Sequence, residues 1–394
     1  MKFFVYFFPV LINFVTSGVF FYVTQCFVDA NASKLLTSLV VPMWAAAYCM
    51  MNVIIGKVVN KKNAAGLIIF GGILISVSSL GFLFLGTLKL LLVWTGLLGI
   101  GFGFYCSPFQ VLCKELEQGS SSAVAMATGK YTAAWSIGFA AGAIVFGMLS
   151  AQIAFWLSFA SGVMVSLGVA FIAAVLKKRP AAKAEMFDEA DEPEGKVVFP
   201  DYAWLGWIVG GVLSFSVTQL RSMLQPHAAA IGMANAERSM AIVLMLVSLT
   251  QGVIALLLVK SRFWMYKLPM VLFGICGVVA MTMFCLAESL WSFMLSAVCY
   301  GIYSGCGYFI FVFYSLAHPV KAGRNAAVNE IVVAVASISG PMLGGLLVIK
   351  SGMSWAPFAM AGVCILLATL FHFIVFKTDR RRQAALAMEE NCNE

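Results

Sequence analysis

The sequence predicts an all-α membrane protein in which twelve transmembrane helices form two pseudo-symmetric six-helix bundles. Three observations predict this fold class: the composition, the length of the apolar runs, and one long hydrophilic segment at the centre of the chain. Of 394 residues 62% are hydrophobic and only 11% are charged, whereas a soluble domain has roughly 25% charged residues. This composition excludes a soluble enzyme, a secreted disulfide scaffold and a disordered chain, so the bilayer is the expected solvent.

The apolar runs have the length of membrane-spanning helices. Crossing a bilayer takes about 20 apolar residues, and only helices or closed barrels satisfy every backbone group in lipid. Six spans are predicted before the hydrophilic segment, at 3–27, 35–59, 65–86, 90–113, 122–150 and 153–176. Six follow it, at 204–225, 239–259, 268–287, 290–316, 325–349 and 355–376. The predicted units are therefore an N-terminal bundle (1–176), a linker loop (177–202), a C-terminal bundle (203–377) and a tail (378–394).

The basic residues predict the orientation of these spans. Nineteen of the 25 lysines and arginines fall on the side of the termini and four on the opposite side, which leaves Lys130 and Arg221 within spans. Because cytoplasmic loops carry the excess of Lys and Arg, the termini, linker and tail are expected in the cytoplasm, and the protein in a bacterial inner membrane. The net charge of +8 then reports topology, and no nucleic-acid partner is expected.

Short matches between the two halves indicate an internal repeat. Residues 23–25 and 217–219 both read Val-Thr-Gln, at an offset of 194. Glycines at 101 and 103 match those at 305 and 307 at an offset of 204, and glycines at 142 and 147 match those at 340 and 345 at an offset of 198.

Two segments resemble motifs of the major facilitator superfamily. The loop after the second span matches the pattern G-x-L-x-D-[RK]-x-G-[RK]-[RK] at Gly56 and Lys61, with Asn60 in place of the acid. The fifth span has glycines at 138, 142 and 147 in the spacing of G-x3-G-P-x2-G-G, and the eleventh has Gly-Pro at 340–341 and Gly-Gly at 344–345 in the same frame. The resemblance implies two bundles that rock about a midplane site lined by spans one, four, seven and ten.

Charges are costly inside lipid, which makes Arg221, Glu330 and Lys130 the first functional candidates. Ser214, Thr218, Arg221 and Gln225 follow each other at steps of 4, 3 and 4, so they share one face of the seventh span. The planar guanidinium suits a carboxylate or phosphate, which favours an anionic substrate, while an external gate or snorkelling residue is the alternative. Glu330 and Lys130 are expected to couple or gate transport, with a structural charge as the alternative for Lys130.

The remaining candidates come from the cavity-lining spans that the resemblance implies and from the fifth span. Together with Arg221, the predicted substrate-binding residues are Gln25, Thr218, Gln219, Tyr303, Asn13, Tyr105 and Trp135. Tyrosines with one buried and one hydrogen-bonding end suit a polar organic ligand with an apolar body, although aromatic stripes also serve helix packing.

The expected function is secondary active transport. No Walker, HExxH or GxSxG pattern is present, so no enzyme activity, cofactor or metal site is expected. We expect a monomer, embedded in membrane lipid, that moves a small polar organic anion by alternating access. Transport is expected to be driven by a proton gradient, as in a symporter, or by exchange. The many Phe and Met residues leave efflux of apolar drug-like compounds open, and a lipid-handling membrane protein is a further alternative.

Overall fold

The computed structural model describes residues 5–60, 62–85, 87–116, 121–177, 202–259, 267–316 and 322–392. Its N-terminal half contains α1 (Phe7–Asp29), α2 (Lys34–Ser38), α3 (Val40–Val58), α4 (Ala64–Phe84), α5 (Leu88–Leu116), α6 (Ser121–Met148) and α7 (Ala151–Lys177). Its C-terminal half contains α8 (Ala203–Ala230), α9 (Ala236–Val259), α10 (Lys267–Leu286), α11 (Leu290–Leu316), α12 (Ala322–Ser351) and α13 (Ala356–Cys392). The short α2 and α3 together form the second span.

Within these described ranges, eleven spans are long and apolar enough to cross a bilayer. The ninth predicted span is the exception, because its apolar helical part, Met270–Leu286, is shorter. Residues 260–266, which precede α10, and nearly all of the predicted linker 177–202 lie outside the described ranges. The last helix continues to Cys392, through most of the predicted tail, where Ala, Leu, Met, Gln, Arg and Glu all favour helix.

The two halves repeat the same packing, which confirms the predicted pair of six-helix bundles. In the first half α1 packs on α6, α3 on α5, and α4 on both α5 and α7. In the second half α8 packs on α12, α9 on α11, and α10 on both α11 and α13. Helix α10 therefore takes the place of α4 and completes the second bundle. Since twelve crossings return the chain to its starting side, we call the side of both chain ends the terminal side.

Glycine contacts fix which residues of the two halves are equivalent. A Cβ on Gly142 would press on α1 at Phe14 and Ser17, and one on Gly340 would press on α8 at Phe215 and Thr218. The predicted offset of 198 between α6 and α12 is therefore correct.

The other two predicted offsets are wrong. The contacts at Gly142 and Gly340 make α1 and α8 equivalent at an offset of 201, so the Val-Thr-Gln match at 194 lies two turns out of register. Gly103 packs against α3 and Gly305 against α9, which sets an offset of 202 in place of 204. Helices α5 and α11 each carry several closely spaced glycines, so the sequence pattern alone did not select the equivalent pair.

The bundles meet along two seams, α6 on α9 and α12 on α2 and α3. The α6–α9 seam is packed near both ends: a Cβ on Gly129 would meet Val259 on the terminal side, and one on Gly147 would meet Ala241 on the opposite side. Small residues let helix backbones approach closely in lipid, where van der Waals packing holds helices together.

Candidate functional site

Helix α8 carries the predicted polar stripe into the protein interior. Ser214, Thr218 and Gln225 are all buried, and the Thr218 hydroxyl donates a 2.6 Å hydrogen bond to the Ser214 carbonyl. On the neighbouring turn, the Ser216 hydroxyl pairs with the Tyr300 hydroxyl of α11 at 2.7 Å. The sequence spacing therefore identified a helix face that the fold encloses.

Arg221 extends from this stripe across the boundary between the bundles. Its guanidinium carbon lies 3.6 Å from the centre of the Phe139 ring of α6, and Tyr300 and Tyr308 of α11 are close enough to interact with its charge. The Nη2 atom is buried and has no hydrogen bond. Across the part of the chain that the structure describes, no carboxylate forms an ion pair with this arginine. The aromatic face stabilises the cation but does not neutralise it.

Aromatic rings from both bundles surround the guanidinium. The Trp135 ring centre lies 5.5 Å from that of Phe139, on the same helix, and 4.7 Å from that of Tyr308 in the other bundle, both edge-on. The Phe139 carbonyl also accepts a 2.7 Å hydrogen bond from Ser17 of α1. We call Trp135, Phe139, Tyr300 and Tyr308 the aromatic wall.

Only part of the predicted binding set meets at this place. Arg221, Thr218 and Trp135 belong to it. Gln25 instead donates a 2.7 Å hydrogen bond to Asp29 at the exposed end of α1. Asn13 donates to the Pro9 carbonyl of its own helix at 2.8 Å.

The other three predicted binding residues pack within single bundles. Tyr105 stacks on Phe109, with ring centres 4.9 Å apart. The Gln219 amide is fully buried without a hydrogen bond, and its nitrogen lies 2.8 Å from where a Cβ of Gly344 would stand. Tyr303 lines a cavity of about 30 Å³ among α8, α10, α11 and α13, a volume that suits one water molecule.

The two predicted coupling residues differ sharply in their surroundings. Glu330 of α12 accepts a hydrogen bond from the Tyr48 hydroxyl of α3, and this bond joins the bundles across the second seam. Cys106 of α5 lies beside the same pair. Lys130, by contrast, is exposed on α6.

Sequence reasoning missed several residues of the site and the seams. Phe139 and Tyr308 resemble ordinary core residues of transmembrane helices, and nothing in the sequence indicates that they lie next to Arg221. Gln251 of α9, a lone amide in an apolar helix, donates a 2.7 Å hydrogen bond to Ser136 of α6, and its isolation was a usable signal. Tyr48 and Gln251 are equivalent positions, because their carbonyls lie against Gly103 and Gly305 respectively.

Comparison with known proteins decides the family. The sequence profile of the Major Facilitator Superfamily matches residues 3–328. The chain belongs to the major facilitator superfamily. It is accordingly an integral membrane protein of a transporter family. A search of curated proteins finds no significant match.

Solved structures of the superfamily share the fold. The human organic anion transporter MFSD10 (TETRAN) superposes with a TM-score of 0.68 at 12% identity, over 93% of this chain and 98% of that one. A bacterial homologue of the human lysosomal transporter Spinster, in an inward-facing and unoccupied conformation, superposes with a TM-score of 0.63 at 15% identity, over 95% of this chain and 96% of that one. At these identities the likeness concerns the fold alone.

Proposed function

We propose that this protein is a secondary active transporter that carries a small organic anion across the cytoplasmic membrane and binds it at Arg221. One observation carries the proposal: the guanidinium lies at the boundary between the bundles, with a buried N–H group that has no hydrogen-bond acceptor and with no carboxylate partner in the described structure. An uncompensated buried charge costs several kcal/mol. An anionic substrate supplies the missing charge and accepts the unused hydrogen bonds.

The position of Arg221 suits alternating access. It lies 18 residues into α8, about 27 Å from the terminal end at 1.5 Å per residue, and Phe139 lies equally far into α6. The α6–α9 seam is packed on both sides of this level. Rocking of the bundles about the site opens one end of the seams while the other stays closed, as in transporters built from repeats.

Glu330 is the coupling residue in this proposal. It lies eight residues into α12, about 12 Å from the terminal end, between the terminal side and Arg221. A hydrogen bond to a carboxylate is roughly twice as strong as a neutral one, so protonation of Glu330 weakens its bond with Tyr48. The equivalent bond of the other seam, Gln251 to Ser136, carries no charge. The proton therefore acts on one seam only, and in this proposal the terminal side of that seam faces the cytoplasm. Lys130, being exposed, has no part in this step.

Ligand-dependent melting of the purified protein tests the anion site. Ligands that bind the folded state raise its melting temperature, so carboxylates should stabilise the wild type and their neutral amides should not. Arg221→Ala should lose the response. Arg221→Lys should retain at most a tenth of the affinity, because lysine keeps the charge but not the planar fork.

Arg238→Ala is the matched control, since Arg238 is exposed near the start of α9. Carboxylate stabilisation that survives in Arg221→Ala, or that amides produce equally, contradicts the anion site.

A further inference from the structure

We infer that the transported anion is an aromatic monocarboxylate, with a single negative charge and a flat apolar body. The inference rests on the proposed function, because it describes the ligand of the same site. Two features of the surroundings of Arg221 lead to it: the number of cations and the arrangement of the rings.

The site offers one positive charge. Among the lysines and arginines whose side chains the structure describes, only Arg221 and Lys34 are not exposed. Lys34 begins the short α2, near the side opposite the chain ends. A dianion bound at Arg221 therefore brings a second charge that no basic side chain described in this region compensates, at the cost of desolvating that charge.

Some polar side chains near Arg221 are paired and others are not. Ser216 pairs with Tyr300, and the Thr218 hydroxyl donates to its own helix. The Ser222 hydroxyl, next to Arg221 in the chain, and the Gln225 amide, one turn beyond it, are buried without a hydrogen bond. These groups can pair with polar substituents of the substrate, so the flat apolar body follows from the rings alone.

The rings favour a flat apolar body. The face of the guanidinium rests on Phe139, which leaves its edge, with the unused Nη2 donors, for the two oxygens of a carboxylate. Trp135 and Tyr308 stand edge-on beside this contact and come from different bundles. Aromatic rings prefer edge-to-face or offset partners, so a substrate ring next to the carboxylate finds complementary surfaces on both bundles.

Four probes of similar size separate the possibilities in the wild-type protein: benzoate, its neutral amide benzamide, the aromatic dianion terephthalate, and the aliphatic monoanion hexanoate. Their dissociation constants are measured by melting-temperature titration, and exchange of radiolabelled benzoate is measured in proteoliposomes. We expect benzoate to bind at least ten-fold more tightly than each of the other three and to exchange across the membrane.

Trp135→Leu tests the wall directly. It should weaken the binding of benzoate about ten-fold and change the binding of hexanoate little. The control Trp156→Leu, at an exposed position of α7, should change the affinity for neither ligand. Should Trp135→Leu fail to fold, the ranking of the four probes on the wild type still decides.

The two proposals fail in different ways. If hexanoate or terephthalate binds as well as benzoate through Arg221, the aromatic monocarboxylate is wrong and the anion transporter stands. If none of the anions binds better than benzamide, both proposals are wrong.

Discussion

The hydrogen bond between Tyr48 and Glu330 offers a direct test of the seam between the bundles. Tyr48 is 1% exposed, and its ring stacks on Trp44 at 4.9 Å and meets Phe102 edge-on at 5.4 Å. Tyr48→Phe keeps these ring contacts and removes only the hydroxyl. A hydrogen bond to a charged group contributes about 1.5–3 kcal/mol, and about 1.4 kcal/mol is a factor of ten in an equilibrium. The variant should therefore open the terminal side about ten- to a hundred-fold more often.

Native cysteines report this opening, so no cysteine has to be introduced. Cys106 is 4% exposed and lies beside Tyr48 and Glu330, so it reacts with N-ethylmaleimide only when the seam opens. Peptide mass spectrometry measures its alkylation rate, with Cys306, 1% exposed inside the second bundle, as the reference for general loosening. The Cys106 rate should rise at least ten-fold in Tyr48→Phe, while the Cys306 rate stays constant.

Tyr22→Phe is the matched control for this experiment, since Tyr22 packs on Phe146 and Phe155 within the first bundle. Equal Cys106 rates in the two folded variants would refute the reasoning, because the Tyr48 hydroxyl would then hold nothing closed. A parallel rise at Cys306 would refute it as well, since the hydroxyl would be stabilising the fold as a whole.

Two further predictions concern stability, both measured by thermal unfolding in detergent. A Cβ on Gly142 would lie 2.8 Å from the Gly18 nitrogen of α1, so Gly142→Ala should destabilise the protein by about 1–3 kcal/mol. The control Gly66→Ala, at a position with open space around it, should not destabilise the protein. Equal melting temperatures of the two variants would contradict the close α1–α6 packing. Ser136→Ala leaves the buried Gln251 amide without its partner and should lower the free energy of unfolding by about 1–3 kcal/mol. In Gln251→Leu the Ser136 hydroxyl keeps its bond to its own helix, so the loss of stability should be smaller. A larger loss in Gln251→Leu than in Ser136→Ala would contradict the proposed role of this hydrogen bond in the seam.

Local patterns predicted the helices well and their register partly. Each apolar run became a helix because the cost of exposing backbone to lipid acts on every segment separately. The small residues of α6 and α12 were matched at the right offset, since Gly142 and Gly340 each lie in close contact with the first helix of their own bundle, α1 and α8 respectively. The Val-Thr-Gln match was misleading, because the two tripeptides are identical in sequence but do not lie at equivalent positions of α1 and α8.

The candidate site divides in the same way. Spacing along one helix placed Ser214, Thr218, Arg221 and Gln225 on a common face, since a helix repeats every 3.6 residues. No spacing could place Phe139 under Arg221, because the two residues lie on different bundles 82 positions apart. Lys130 shows the limit from the other direction: its charge made it a candidate, and only the packed structure shows its side chain to be exposed.

The sequence by itself determined the solvent of this protein, the number of its spans and the few charges that the bilayer makes expensive, because transfer into lipid is a property of each segment alone. The tertiary structure decided what those charges meet. Arg221 lies on an aromatic ring with no carboxylate in the described structure to pair with it, and Glu330 holds a tyrosine of the other bundle. Such pairings arise only when helices far apart in the chain are packed side by side.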